Sequence, residues 1–160
     1  MIKKIILSLM LVASILNADP FTKNNINLGV LIGSGSVTYS GLFRDNTQNY
    51  TLVGINTDYF IIDNLSVGLG YTGWFGGTPS ITQFTLPVTY YAPLSDKFRP
   101  YLGVYTRQTL IDSDIYDDYT SYGARVGVAY LYTPRSYLGI GWVQDSQDSS
   151  HPEFIISFSF

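Results

Sequence analysis

The chain contains no cysteine, which removes disulfides, thiolate metal sites and a cysteine nucleophile together. It has a single histidine, His151, and only 13% charged residues. No phosphate-cradling glycine loop is present. Beyond the first eighteen residues no run approaches the roughly 20 apolar residues of a spanning helix, and nothing reads as a helix at all. What remains is aromatic and small: 16% aromatics, fourteen tyrosines and fifteen glycines in 160 residues. That composition suits an all-β chain with interfacial side chains.

Residues 1–18 read as a signal peptide. Lys3 and Lys4 precede an apolar run from Ile5 to Leu16, and Leu16-Asn17-Ala18 offers a small-residue cleavage site before Asp19. The run is too short for a transmembrane anchor. Removing it leaves seven basic against twelve acidic residues, a net charge of −5, which argues against a nucleic-acid partner. Residues 19–25 form a polar lead-in, expected in the periplasm, and the domain proper is expected over 26–160.

Period-2 alternation predicts eight strands over 26–39, 50–61, 65–74, 81–91, 101–108, 121–132, 137–144 and 153–160. The third is the clearest, with Leu65, Val67, Leu69 and Tyr71 on one face and Ser66, Gly68, Gly70 and Thr72 on the other. The connections fall at 41–49, 63–64, 76–80, 93–100, an acidic loop near 109–120, 134–136 and 145–152. Pro87 lacks a ladder donor and predicts a bulge or kink. Eight strands close a small barrel whose interior side chains just fill it, and their lengths bracket a membrane crossing.

Nearly all strand glycines share one face. Tyr91, Tyr101, Tyr105 and Tyr137 share it too and need that space, so the Gly, Ser, Thr and Tyr face is expected inside and the Leu, Val and Ile face in lipid. With the amino terminus in the periplasm, Tyr39, Tyr50, Tyr71, Trp74, Phe84, Tyr122, Trp142 and Phe154 are expected near the outer rim. Tyr59, Tyr90, Tyr130 and Phe160 are expected near the inner one, completing two aromatic girdles. A soluble lipocalin-like barrel with its apolar face turned inward is the alternative; it would wear a sheath of glycine.

Asp58, Arg107, Arg125 and Glu153 point to the lumen by parity, either as a salt-bridge plug or as the lining of a path for a small ion. Asp112-Ser-Asp-Ile-Tyr-Asp-Asp118 puts four carboxylates in seven residues but lacks the glycine and terminal glutamate of an EF-hand loop. It reads as a solvated loop that could share divalent ions with lipopolysaccharide phosphates. His151 lies near Ser149, Ser150 and Glu153, and is expected in the last loop without a catalytic role. No metal or cofactor is expected.

The last stretch sets Phe154, Ile156, Phe158 and Phe160 on one strand face, an aggregation hazard in water and well solvated in a bilayer. It resembles the C-terminal signal of bacterial outer-membrane β-barrels, with Pro152 departing from the pattern one step further back. Together with Thr85-Leu-Pro-Val-Thr-Tyr-Tyr91 and Phe98-Arg-Pro-Tyr-Leu-Gly103, the chain resembles the small barrel families around OmpX, the OmpA membrane domain and OmpW. The resemblance implies an all-β, eight-stranded antiparallel up-and-down transmembrane β-barrel. It further implies Sec-type export to a Gram-negative outer membrane, handling by the barrel-assembly machinery, and a monomer in contact with outer-membrane lipid and lipopolysaccharide. The expected role is structural or surface-interacting and non-enzymatic. The alternatives are a lipid-A-modifying enzyme using His151, or a narrow conduit for small or hydrophobic solutes.

Overall fold

Alternating side chains and short connections leave the chain one way to satisfy its backbone, a sheet rolled onto itself. The computed structural model describes residues 19–39, 46–147 and 150–160. The expected signal peptide, with its cleavage site at Ala18, lies outside the described residues, as do Ser149 and the tip of the first hairpin. The strands are β1 (Ile26–Tyr39), β2 (Asn46–Ile62), β3 (Leu65–Phe75), β4 (Ser80–Tyr91), β5 (Phe98–Asp112), β6 (Tyr119–Thr133), β7 (Ser136–Asp145) and β8 (Ser150–Ser159). Each pairs antiparallel with its sequence neighbours, and β1 with β8 closes the circle. No helix occurs among the described residues. The start of β1 and the last residue lie at one end, called the terminal end, where the Phe160 amide donates to the Ile26 carbonyl at 2.9 Å.

The strands run further than alternation alone indicates. β2 starts at Asn46, β5 spans Phe98–Asp112 and β6 starts at Tyr119, so the acidic loop shrinks to 113–118. Polar side chains above the apolar band do not break a ladder; Tyr39 still pairs with Asn46 and Ser80 with Asp112. At the terminal end the hairpins turn at 63–64 and 134–135, with Asn64 at φ 66°, a left-handed conformation that asparagine tolerates.

Pro87 makes a gap rather than the expected bulge. β4 keeps register with β5 through Pro87 and Tyr105, while its pairing with β3 passes from Val67–Val88 directly to Gly70–Thr85. The missing proline N–H interrupts that ladder with no residue inserted. Bulges occur instead beside the terminal-end turns, at Phe60/Ile62 and Leu131/Thr133.

The exterior is the Leu, Val and Ile face. Leu28, Val30, Ile32, Leu69, Leu86, Leu102, Val104, Val126 and Ile140 are all exposed, a surface that only hydrocarbon solvates without cost. This excludes the lipocalin-like arrangement.

Residues 19–25 are more than a polar lead-in. They fold back across the terminal mouth, and Phe21, 1% exposed, inserts among Phe60, Tyr91 and Tyr137. The Phe21 and Tyr91 rings lie 4.6 Å apart, and Phe21 and Tyr137 5.2 Å. Backbone bonds from Asn64 N–H to the Phe21 carbonyl (2.7 Å) and from Asn24 N–H to the Phe60 carbonyl (2.8 Å) hold the segment down.

Candidate functional site

The lumen is filled in tiers, each a consequence of one side chain in two pointing inward. At the terminal mouth the aromatic cluster around Phe21 is capped by Arg99, whose guanidinium lies 5.8 Å from the Phe21 ring centre and 2.7 Å from Asp19 Oδ2. Arg99 falls within the stretch expected as a turn; it is the second residue of β5.

Above this mouth the four expected charges do face inward, and Asp58, Arg107, Arg125 and Glu153 are all buried. They fall into three separate groups. Arg125 Nη2 lies 2.9 Å from Glu153 Oε1, and the Tyr101 hydroxyl donates to the same carboxylate at 3.1 Å. Asp58 is not held by an arginine in ion-pair contact; it accepts from the Asn56 amide at 3.1 Å and the Ser66 hydroxyl at 3.4 Å. Arg107 pairs with a carboxylate expected in the 145–152 connection. Asp145 is the last residue of β7, faces the lumen, and accepts from Arg107 (3.4 Å), Ser121 (3.0 Å) and Tyr105 (3.1 Å). Parity from Val143 is the signal that could have placed it inside.

Glycines make the room the tyrosines need. A Cβ on Gly141 would fall on the Tyr101 hydroxyl, and one on Gly123 on the Tyr105 hydroxyl and ring. The packing leaves a cavity of about 40 Å3 beside Arg107, Arg125 and Glu153, room for a few water molecules.

The loop-end tier corrects two expected girdle residues. Tyr50 and Trp74 do not face lipid; they pack inside with Leu52 and Ile81. Both share inward parity, Tyr50 with Leu52 and Asn56, Trp74 with Thr72 and Gly70. The Trp74 indole N–H donates to Gln83 Oε1 at 2.9 Å, and the Tyr50 hydroxyl to the Pro79 carbonyl at 3.1 Å. His151 is also corrected. It lies in β8 rather than a loop, is 2% exposed, and packs edge-on against Trp74 with ring centres 5.9 Å apart. The remaining expected girdle residues, Tyr59, Tyr71, Phe84, Tyr90, Tyr122, Tyr130, Trp142, Phe154 and Phe160, are exposed on the outside. The side chain of Tyr39 is not among those described. In the terminal strand, Phe154 and Ile156 face out as well, and Phe158 is half-buried on the same face. Among the described residues no three acidic or histidine side chains come together as a metal-binding group.

This arrangement predicts a clean optical result. Acyl chains carrying bromine should quench Trp142 strongly in a Trp74→Phe protein. They should leave Trp74 close to its unquenched intensity in a Trp142→Phe protein. Equal quenching of both would put Trp74 outside.

An apolar exterior, an even number of closed antiparallel strands and a side-chain-filled interior define an integral membrane β-barrel. The chain has the fold of the small eight-stranded outer-membrane β-barrels. No protein-family model and no curated protein sequence matches it. Solved structures do. The N-terminal β-barrel domain of Pseudomonas aeruginosa OprF is 16% identical with a TM-score of 0.62, over 86% of this chain and 98% of that one. Neisserial surface protein A is 15% identical with a TM-score of 0.61, over 86% and 96%. A de novo designed transmembrane β-barrel is 14% identical with a TM-score of 0.65, over 87% and 98%. At these identities the likeness is one of fold.

Proposed function

We propose that this protein is a structural, non-enzymatic barrel of a Gram-negative outer membrane, acting through its loop-end surface and not through its lumen. It is exported by the Sec route with cleavage after Ala18 and folds as a monomer. Phe154, Ile156, Phe158 and Phe160 serve as its assembly signal to the barrel-assembly machinery, and outer-membrane lipid and lipopolysaccharide surround it. The observation that carries this reading is the closed interior. The Arg125–Glu153 and Arg107–Asp145 pairs block the middle, and Phe21 fills the terminal mouth. Paired, desolvated charges of this kind rigidify a lumen and hold no mobile ion. An enzymatic use of His151 is disfavoured by its position, buried behind Trp74 and away from the lipid face.

The test is conductance together with heat-modifiability. The mature chain, folded into detergent, should run as a compact band that shifts on boiling, and should be silent in a planar bilayer. Steady single-channel openings would overturn the closed-lumen reading in favour of a conduit. A chain that is folded and soluble without detergent would overturn the membrane reading itself.

A further inference from the structure

The outer wall is not uniform. Across β2 to β6, in the half nearer the loops, it bears a groove of about 630 Å3. Ile55, Leu69 and Leu86 line it, and Tyr71 and Phe84 stack edge-to-face in it at 5.3 Å. Its margin on β5 and β6 is polar. Thr106, Gln108 and Thr120 line it there, on the outward parity of Val104 and Tyr122. The Thr120 hydroxyl donates to Gln108 Oε1 at 2.6 Å. With its carbonyl oxygen so engaged, Gln108 presents its amide N–H pair. A donor on a lipid-facing wall needs an acceptor. The aromatic belt of Tyr71, Phe84 and Tyr122 sets Gln108 at the depth where lipid ester carbonyls lie.

Charge selects the headgroup. Asp112 follows four residues up β5, and Asp114, Asp117 and Asp118 are exposed in the loop beyond it. Among the described residues, every Lys and Arg other than the lumenal Arg107 and Arg125 lies at the opposite end: Lys23, Lys97, Arg99 and Arg135. The described rim on the β5–β6 side of the groove is therefore acidic, and it attracts a cationic group and repels a lipid whose headgroup is phosphate alone.

We propose that the groove binds one acyl chain of a zwitterionic glycerophospholipid, with an ester carbonyl on the Gln108 amide and the headgroup ammonium against Asp112 and the 113–118 loop. The site rests on the membrane-barrel reading above.

The test is native mass spectrometry of the mature protein in micelles titrated separately with phosphatidylethanolamine, phosphatidylglycerol and lipid A, without divalent ions. A heat-modifiable band comes first; its absence would count against the barrel reading and not against the groove. The expected result is a single phosphatidylethanolamine adduct, retained on the order of fivefold better than phosphatidylglycerol, the size of one partly exposed charge contact. Leu86→Trp, which fills the groove, and Gln108→Leu, which removes the donor, should each reduce that adduct severalfold. Both positions face lipid, so both variants should keep the heat-modifiable band. Asp112→Asn with Asp117→Asn should equalise the two phospholipids. Equal retention of all three lipids, or an adduct indifferent to Leu86→Trp, would reduce the groove to ordinary annular contact. Preference for lipid A would overturn the charge assignment.

Discussion

Replacing Arg125 with methionine is expected to destabilise the barrel by about 3–5 kcal/mol, because it strands a buried carboxylate. Glu153 is 2% exposed and has Arg125 Nη2 at 2.9 Å as its cationic partner. Losing that guanidinium leaves Glu153 with the Tyr101 hydroxyl alone. Taking both charges away is a different experiment. Arg125→Met with Glu153→Leu should recover most of the loss, since two apolar groups of similar volume replace the desolvated pair. Unfolding midpoints in urea, read in lipid vesicles for wild type, both single variants and the double, measure the coupling directly. A single variant within about 1 kcal/mol of wild type would mean that water in the adjoining cavity solvates Glu153 in place of the guanidinium.

The second large effect concerns space. Gly141→Val places branched carbon where the Tyr101 hydroxyl sits. Overpacking of this kind costs about 1–3 kcal/mol, and here it also displaces the hydroxyl from Glu153. Combining it with Tyr101→Ala should restore part of the loss, because the ring that clashes is gone. The unfolding midpoints of the two single variants and the pair decide it. If the double variant is as unstable as the sum of the singles, the clash is with the β6 backbone, whose Val126 carbonyl lies 2.8 Å from the same point.

These two predictions also show where the sequence was legible. Strand count, order and the inward face follow from period-2 alternation, and the glycine–tyrosine partnership follows from volume. Each is a local property. Tyr50 and Trp74 sit at rim height, where girdle aromatics are expected, but their parity sets both inside. Asp145 and His151 were assigned to a loop because polar residues end an apolar pattern without ending a ladder. The gap at Pro87 is a matter of which neighbouring strand meets its missing N–H, which one strand cannot reveal. Phe21 carried no periodic signal at all. Its place depends on Phe60, Tyr91 and Tyr137 converging from β2, β4 and β7, and only closure brings those together.

That closure has an order. Seven of the eight strand pairings join neighbours in the chain, and each can form as a hairpin at small loop-closure cost. The eighth joins Asn27–Gly33 to Glu153–Ser159, the two ends of the whole domain, and contacts so distant in sequence form slowly. Until it forms, β1 and β8 are open edges with unpaired N–H and C=O groups. The lead-in spans the same end of the barrel. Its Asp19–Arg99 ion pair and its backbone bonds to Phe60 and Asn64 require only the first five strands. In the closed barrel the segment lies as a chord across the terminal mouth, tying β5 to the chain that enters β1. The seam that joins the two ends of the domain thus has a second tie, made across the lumen and not along the sheet.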